Sequence, residues 1–518
     1  MRKRSITILA ILAILLAAIL PASCQQNATT ATTRQSTAKT PSDPVELTIM
    51  AKLNNQPGSD HPMIRLLEEK TNTKLTFEVP PYKNYEERMT LMFASGSNMA
   101  DMAFFNYYGY ETLYRDTIKE GSILPITEWV MQAANLQAYI DPDSWFGAKG
   151  PDGEIYGVPG NTYTRVDGWL IRLDWLENVG LSLPADNELT LDALNEILKR
   201  FSEDDPNRSG KNDTYGITKR SAQGVLDPLF AHAFDVIGWD ENTGRYPYMH
   251  LMYSLEHDNY KDALAHTAWL WDSGYIDPNW PANESVSDLE RFAKGIAGMV
   301  GSFAGHMDTT ESQTLANFPE ARVGYVSLVK ASDSDTETGV RSPYGSNTYF
   351  NWVITSAAAD KEEAIVDFLD YTVSDEGYTL LLFGVEGTHY TIENESMTVT
   401  ELYDSEIRPF RGLSMPRRYN DVRLYVLPNL SEEKEARVNS LLERAQSLVL
   451  PSLDKGYIPE VAGRQPFIDA KTELDIVRTR IILGELPVES WDTALQNWYD
   501  AGGREYVADI NRFIKDNQ

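Results

Sequence analysis

The residues with the clearest chemical spacing lie in the loop 205–213, which reads DPNRSGKND. Oxygen-bearing side chains occupy loop positions 1, 3, 5 and 9, with glycine at position 6 and a backbone carbonyl available at position 7. This is the spacing of an EF-hand, in which hard oxygen ligands on a tight turn bind Ca²⁺. The loop therefore predicts a structural calcium site with the ligands Asp205, Asn207, Ser209, Lys211 (through its carbonyl) and Asp213.

Position 12 of this loop is Gly216, where an EF-hand has a bidentate glutamate. One ligand is therefore missing or comes from elsewhere in the chain. The alternative is a metal-free loop whose Asx turns cap the helix that is expected to end near Phe201.

A second set of residues has the chemistry of a sugar site. Sugars stack their C–H faces on aromatic rings and form hydrogen bonds with planar polar groups. Most Trp and Tyr side chains fill cores or cover surfaces, and Trp175, in a predicted helix, is expected in a core. The candidates for ligand contact are Asn106 and Arg172, for hydroxyls or a carboxylate, and the aromatic residues Tyr107, Tyr108, Trp169, Trp239, Trp271, Phe303, Tyr349 and Trp352.

Enzyme motifs are missing from the sequence. It contains no HExxH, GxSxG or P-loop pattern and no GxGxxG after a strand. The seven histidines are scattered without metal-ligand spacing, and His306, after a predicted strand, reads as an ordinary hydrogen-bonded residue. Carboxylates are so numerous that a glycosidase pair could always be drawn, so their presence decides nothing. We therefore expect a binding protein and keep a cell-surface glycosidase or lyase as the alternative.

The first 44 residues are not expected to belong to a folded core. Arg2, Lys3 and Arg4 precede an apolar run at 6–20, which is typical of a secretory signal over residues 1–23. The only cysteine, Cys24, follows small residues at the end of this signal and resembles the lipobox cysteine of bacterial lipoproteins, which is cut free and carries lipid. Residues 24–44, rich in Thr, Ser, Ala and Gln, are predicted to be a flexible tether.

The chain is strongly acidic. Its 518 residues carry a formal net charge of −30, and loss of the signal removes three cations, which brings the charge to −33. Nucleic acid is therefore excluded as a partner, because its phosphates would be repelled. A polyanionic ligand is also disfavoured unless cations are gathered locally. A single cysteine permits no disulfide within the chain, so stability must come from packing.

The elements that would position these residues follow from hydrophobic patterning. Val45, Leu47 and Ile49 alternate with polar residues as in a strand, and the following segments to Phe105 predict a βαβαβ unit with a parallel sheet. Ligands of such sheets lie beyond the carboxyl ends of the strands, where Asn106 is expected. The segment 155–181 is predicted to carry the chain to a second α/β unit, with Asp174 as the N-cap of a helix.

Several stretches in order resemble the extracellular solute-binding proteins of bacterial ABC importers, in particular the long carbohydrate-binding subgroup that includes alginate-oligosaccharide-binding proteins. They lie at 68–105, 154–160 (EIYGVPG), 169–184 (WLIRLDWLENVGLSLP), 205–216, 368–390 and 483–511. The resemblance implies an α/β, two-lobed periplasmic-binding-protein-like fold of type II with a helical C-terminal region. Lobe one would comprise 45–160 and 323–388, and lobe two 161–322 and 389–518.

The resemblance also implies a function. A monomeric lipoprotein on the outer face of the bacterial cell membrane would capture a carbohydrate, expected to be an oligosaccharide. Closure of the lobes around the ligand would present it to the permease subunits of an ABC transporter. A non-sugar solute such as a peptide stays open as the ligand, because the fold does not fix it. The segment around Glu386 and His389 matches a family signature near a hinge.

Overall fold

The computed structural model describes residues 43–517 except 54, 108–109, 162–166, 222–223, 237–258, 284–286, 304–305, 333–339, 343–347, 394–395, 418–428, 431 and 452–456. The predicted signal, Cys24 and most of the tether therefore lie outside the described residues. The strands are β1 Val45–Met50, β2 Thr73–Glu78, β3 Met102–Asn106, β4 Val158–Asn161, β5 Asp167–Arg172, β6 Glu188–Thr190, β7 Tyr215–Thr218, β8 Ala297–Phe303, β9 Val323–Val326, β10 Leu328–Lys330, β11 Val340–Ser342, β12 Thr348–Ile354, β13 Tyr390–Glu393, β14 Ser396–Val399, β15 Asn429–Leu430 and β16 Val449–Pro451.

Helices connect and cover these strands. They are α1 Pro62–Thr71, α2 Tyr85–Ser95, α3 Glu111–Lys119, α4 Thr127–Val130, α5 Ala134–Tyr139, α6 Leu173–Asn178, α7 Leu191–Glu203, α8 Tyr260–Asp272, α9 Ser287–Ala293, α10 Met307–Asn317, α11 Glu362–Val373, α12 Asp375–Phe383, α13 Glu432–Ser447, α14 Gln465–Ile482, α15 Ser490–Trp498 and α16 Arg504–Asp516. Among the residues described, no helix is both long and apolar enough to cross a bilayer.

The first sheet has the strand order β2-β1-β3-β12-β4. Strands β1, β2 and β3 run parallel, as the βαβαβ pattern predicts, because each crossover helix returns the chain to the same edge. Strand β12 pairs antiparallel with both β3 and β4. The alternating residues Leu47 and Ile49 are buried in a core that we call the first core, which also includes residues of α11 and α12.

The second sheet has the order β7-β8-β5-β9. Strand β5 pairs antiparallel with β8 and β9, whereas β7 and β8 run parallel. One face of this sheet, with Trp169 and Ile171, packs into what we call the second core, which extends through α7, α8 and the C-terminal helices. The other face covers a small cluster around Leu170 and Tyr325.

Two segments pack differently from the predicted division of the chain. The prediction grouped 323–388 with the first lobe, but β9 pairs with β5 in the second sheet, as Val323 lies opposite Arg172. The prediction grouped 389–518 with the second lobe, but Tyr390 and Phe410 are buried in the first core. Both differences arise from long-range contacts that leave no local signal in the sequence. We therefore propose lobe boundaries near 330 and 413 in place of the predicted ones.

Helix α13 contacts elements of both sheets. Val438 is buried in the first core, and Leu442 packs against both this core and the small cluster beneath the second sheet. Arg437 of the same helix donates to Glu311 of α10 at 2.9 Å and to the carbonyl of Val323 in β9 at 3.3 Å. The chain passes between the two lobes from β4 to β5 and from β10 to β12. Helix α13 is therefore a third connection between the lobes.

The start of helix α6 corrects a local prediction. The helix begins at Leu173 with Arg172 in the N-cap position, so Asp174 lies inside the first turn and is not the N-cap. Its carboxylate instead accepts two hydrogen bonds from the Arg172 guanidinium, at 2.9 and 2.6 Å. Helix α7 is capped by Thr190, whose hydroxyl accepts from the amide of Ala193 at 3.2 Å.

Candidate functional site

The carboxyl end of β3 carries an unsatisfied hydrogen-bond acceptor. Asn106 is the last residue of this strand and is buried, with its Nδ2 donating to Glu86 Oε1 at 3.2 Å. Its Oδ1 is also buried and accepts no hydrogen bond from the described part of the chain. Because a buried acceptor without a donor costs free energy, this oxygen is available for a ligand hydroxyl.

A glutamate holds Asn106 in place and is itself paired with a lysine. Lys52, two residues after β1, forms an ion pair with Glu86, and the two side chains are only 14% and 19% exposed. The Lys52 ammonium also lies 4.7 Å from the centre of the Tyr82 ring. Tyr110 faces the same pair: burial and Glu86 raise the pKa of its hydroxyl, and Lys52 opposes this rise. Asn106, Lys52, Glu86 and Tyr110 thus form a polar group that we call the first-sheet cluster.

The two other candidates in this region are Tyr107 and Tyr108. Tyr107 packs against the first core, and its ring lies edge-to-face on Tyr114 with the centroids 5.3 Å apart. Tyr108 lies outside the described residues. A groove of about 520 Å³ also runs past the end of β2, lined by Gln56, Phe77 and neighbouring residues, and none of the predicted site residues lines it.

Trp169 lies on the second sheet and is 8% exposed. Its ring packs on Phe230, with centroids 4.9 Å apart, and on His232, at 5.5 Å and 25° between planes. Burial lowers the pKa of His232 to about 4, opposed by a hydrogen bond with the Val329 backbone and assisted by the positive charge of Lys219. A neutral imidazole against an indole therefore supports Trp169 from one side.

Trp352 and Arg172 have packing partners that sequence patterning did not indicate. Trp352 is 1% exposed and lies edge-to-face on Phe104 at 5.4 Å in the first core. Arg172 is 3% exposed, held by Asp174, with its guanidinium 5.1 Å from the Phe318 ring. It also occupies the opposite end of β5 from Asp167. Both side chains are thus engaged in internal packing, and their contact with a ligand stays a prediction.

The remaining aromatic candidates are spread over both sheets. Phe303 ends β8 and pairs with Asp167, while Tyr349 lies within β12 next to the bulged register with β4. Trp271, on α8, is partly buried against the second core. Trp239 lies outside the described residues. The structure therefore brings Asn106 together with Tyr107 on the first sheet and places Trp169 and Phe303 on the second.

The predicted calcium loop folds around the Ser209 side chain. The Ser209 hydroxyl lies 3.1 Å from Asp213 Oδ1, 3.4 Å from Asp205 Oδ1 and 3.4 Å from the carbonyl of Lys211. Asn207 joins the same group by donating its Nδ2 to Asp213 Oδ1 at 3.1 Å. Oxygens of Asp205, Ser209, Lys211 and Asp213 thus lie together, with Asn207 joining them through its amide nitrogen, and oxygen donors of this kind fit a hard cation such as Ca²⁺.

The loop is a tight turn with hydrogen bonds of its own. Asp205 and Arg208 adopt positive φ values, which a tight turn of this kind requires. The amides of Ser209 and Gly210 donate to the Asp205 carboxylate at 2.9 Å, so the turn also has internal hydrogen bonds of its own. Among the described residues, no group of three or more His, Cys, Asp and Glu side chains could hold a metal, so an ion here would need the amide, hydroxyl and carbonyl donors in addition to the carboxylates of Asp205 and Asp213.

His389 has a conformational role. Its Nδ1 accepts from the amide of Val385 at 2.9 Å, and its Nε2 lies 3.0 Å from Glu406. Gly384, which ends α12 with φ 85°, lies under the imidazole, and a side chain there would meet the ring at 2.6 Å. The signature at 386–390 therefore fixes the turn after α12.

Sequence reasoning missed the charged residues beside the candidates. Lys52 and Lys219 each follow a strand end closely, at β1 and β7, which is the position that could have marked them. Glu86, in the first turn of α2, is recognisable only through the tertiary contacts that bring it to Asn106.

Comparison with known proteins decides the family. The model of bacterial extracellular solute-binding proteins matches residues 55–379, more than half of the chain. The chain belongs to this family. It is therefore a solute-binding protein rather than an enzyme, as the missing enzyme motifs led us to expect.

Individual relatives agree over nearly the whole length of this solute-binding protein. The polygalacturonan/rhamnogalacturonan-binding protein YtcQ of Bacillus subtilis is 24% identical over 92% of both chains. The crystal structure of the alginate-binding protein AlgQ2 without calcium ion matches 92% of this chain and 99% of its own, with 19% identity and a TM-score of 0.66. An EF-hand mutant of the Streptococcus pneumoniae substrate-binding protein FusA with fructo-nystose matches 91% and 99%, with 19% identity and a TM-score of 0.66. The predicted two-lobed α/β fold is confirmed.

Proposed function

We propose that this solute-binding protein captures an oligosaccharide and delivers it to the permease of an ABC transporter. The observation that carries the proposal is the buried, unsatisfied Oδ1 of Asn106 at the carboxyl end of the central strand of the first sheet. Sugar hydroxyls supply the donors that this oxygen lacks, and the first-sheet cluster fixes its direction. The carbohydrate ligands named for YtcQ, AlgQ2 and FusA support the same class of ligand.

The mechanism would be closure of the lobes. A ligand that contacts both sheets favours the closed arrangement over the open one by its differential affinity for the two. The chain passes from the first sheet to the second between β4 and β5 and returns between β10 and β12, and helix α13 contacts both lobes, so closure would have to move α13 against at least one of them. The permease would then recognise the closed form.

Calorimetry with the purified chain from residue 25 onward tests the proposal. A panel of plant and bacterial oligosaccharides would be compared with peptides of similar size. We expect saturable binding of at least one oligosaccharide and no product after hours of incubation. Asn106→Ala should weaken that binding at least tenfold, because it removes the acceptor, whereas Asn497→Ala, on the exposed side of α15, should leave it unchanged. Binding of peptides alone, or turnover of a sugar, would overturn the proposal.

We also propose that the loop 205–213 binds calcium as a structural ion. Its support is the group of oxygens from Asp205, Lys211 and Asp213 around the Ser209 hydroxyl, together with the calcium ion and EF-hand named for the two solved relatives. The ion would join the end of α7 to the start of β7, because Asp205 and Asp213 lie on either side of the loop. It would contribute stability without contacting the sugar.

The site of action would be the outer face of the bacterial cell membrane. The family is extracellular, and a lipid on Cys24 after cleavage of the signal would hold the chain there by the tether 24–44. Expression of Cys24→Ser in a Gram-positive host should release the protein into the medium, while the unchanged chain should sediment with membranes. Equal sedimentation of the two would contradict the anchor.

A further inference from the structure

The segment between β2 and α2 is tied to the carboxyl ends of two neighbouring strands. Tyr85, the first residue of α2, is fully buried, and its hydroxyl contacts the carbonyl of Phe104 at 2.7 Å and that of Met50 at 3.1 Å. Met50 is the last residue of β1, and Phe104 is two residues before Asn106 in β3. This segment therefore lies at the sheet edge that carries the first-sheet cluster.

Tyr82 is held on a rigid turn in this segment. It begins the short 3₁₀ helix Tyr82–Asn84, in which the amide of Asn84 donates to the carbonyl of Pro81 at 2.8 Å and the amide of Tyr85 donates to the carbonyl of Tyr82. Pro80 and Pro81 precede the turn and fix two more φ angles. The backbone of Tyr82 is thus fixed before any ligand arrives.

The Tyr82 side chain is exposed at this edge. Tyr82 is 56% exposed, and the other exposed aromatic residues in the described part of the chain, Trp269 on α8 and Phe318 before β9, belong to the second lobe. A single exposed ring is common on protein surfaces and indicates no site by itself. Its charged neighbours distinguish this one.

A cation orients the Tyr82 ring and connects it to Asn106. The Lys52 ammonium lies over the ring, 4.7 Å from its centre, which is within the range of a cation–π contact. The same ammonium pairs with Glu86, whose Oε1 also accepts from Asn106 Nδ2 at 3.2 Å. The exposed ring and the unsatisfied Oδ1 of Asn106 therefore lie at two ends of one chain of contacts.

We propose that Tyr82 is the platform on which a sugar ring of the ligand stacks, through the ring face opposite Lys52, while a sugar hydroxyl donates to Asn106 Oδ1. The inference rests on the proposed oligosaccharide function and adds a binding residue to the candidates of the first lobe. Lys52 acts as a positioning residue, because its ammonium fixes the ring and leaves one face for the C–H groups of the sugar.

Calorimetry tests this platform with every oligosaccharide that binds the unchanged protein, and cellotriose, xylotriose, maltotriose, galactotriose and kestose are the first probes. Tyr82→Leu keeps an apolar side chain and removes the ring, so it should weaken binding about tenfold. Tyr82→Phe keeps the ring and should stay within about threefold of the unchanged protein. Because the side chain is exposed, neither variant should lower the melting temperature by more than about 2 °C.

Leu91→Ala is the matched control. Leu91, on α2, is 55% exposed like Tyr82, but it lines the groove past the end of β2 and should not affect binding. A second measurement replaces Tyr82 with a fluorinated tyrosine. Its fluorine NMR resonance should shift in step with calorimetric saturation, which a residue that only supports the fold would not show.

The outcomes separate this inference from the proposed function. Unchanged affinity in Tyr82→Leu, equal losses in Tyr82→Leu and Tyr82→Phe, or a fluorine resonance that the sugar does not shift would each overturn the platform. The proposed function would still stand if Asn106→Ala weakened binding of the same sugar. If no oligosaccharide binds the unchanged protein, the proposed function itself fails.

Discussion

Trp169 and His232 stack with their ring centroids 5.5 Å apart and 25° between the ring planes. They come from β5 and from the short 3₁₀ helix Ala231–Phe234, so the contact joins the second sheet to the segment before α8. The imidazole is held in its neutral form by burial, which lowers its pKa to about 4. The stack is therefore sensitive to protonation as well as to packing.

The first prediction follows from this lowered pKa. Since an unfolded histidine has a pKa near 6.5, the unfolded chain binds more protons between pH 6.5 and 4, and stability must fall as the pH falls through this range. His232 should account for about 2 kcal/mol of lost unfolding free energy between pH 7 and pH 5. Denaturant titrations at several pH values would measure it.

His232→Gln is the variant for this measurement, and its stability should vary less with pH. Burial also lowers the pKa of His266 to about 4, so the double variant with His266→Gln should be flatter again. Parallel pH profiles for the three proteins would contradict the assignment of the proton uptake to these side chains.

The second prediction concerns Asp277, a buried residue five positions after the end of α8. Its carboxylate pairs with Arg291 and accepts from the Thr218 hydroxyl at 2.8 Å and from the amide of Asn279 at 3.0 Å. Asp277→Ala should cost about 3–5 kcal/mol of unfolding free energy, because three donors lose their acceptor in a buried site. Glu290→Ala, which removes an exposed pair with Lys294, should cost less than about 0.5 kcal/mol. Similar losses in the two variants would contradict this account.

Local patterning predicted much of the first lobe. The alternation at Val45, Leu47 and Ile49 marked β1, and the βαβαβ order gave parallel pairing of three strands. What it could not give is the partner of a strand from far along the chain. Strand β12 closes the first sheet from about 250 residues away, and β9 joins the second sheet from 150 residues away. Such pairings depend on tertiary packing and leave no periodic signal.

In the candidate site, too, local patterns predicted some features and tertiary packing determined others. The position of Asn106 was predictable, because a polar residue that follows an apolar run in a parallel strand falls at the sheet edge where ligands lie. The burial of Trp352 could not be predicted, because its ring packs on Phe104 and Phe350 and only the strand order of the sheet brings Phe104 near it. The burial of Arg172 was equally unpredictable, because it packs against Phe318, which lies in the loop before β9 and far from Arg172 in the sequence. Residue type indicated the possible chemistry, and tertiary neighbours determined which side chains are available.

The third prediction contrasts two glycines of the same strand. A Cβ on Gly298 would lie 2.1 Å from the Phe201 ring, in the second core, whereas one on Gly301 would have only the contacts above 3.5 Å with Lys219. Gly298→Ala should therefore cost about 1–3 kcal/mol through overpacking, and Gly301→Ala should change stability by less than about 0.5 kcal/mol. Thermal melts of the two variants would decide. A larger loss in Gly301→Ala than in Gly298→Ala would contradict the packing of this strand.

The fourth prediction tests the proposed calcium loop with an almost isosteric change. Asp213→Asn keeps an Oδ1 acceptor for the Ser209 hydroxyl and Asn207 Nδ2, so the calcium-free protein should keep its stability. It loses a negative ligand, so its affinity for calcium should fall. Calcium at a hundred times the Kd should add about 2.7 kcal/mol to the unchanged protein and far less to the variant.

Thermal melts with calcium and with a chelator would measure this difference, with Asp192→Asn on the exposed first turn of α7 as the control. The control should gain as much from calcium as the unchanged protein, because Asp192 lies outside the loop. Magnesium should give a smaller shift, since a site built from carboxylate, amide, hydroxyl and carbonyl oxygens on a flexible turn suits the larger ion. An equal melting temperature of the unchanged protein with calcium and with chelator would mean that the hydrogen bonds around Ser209 and Asp205 hold the loop alone, as in the metal-free alternative.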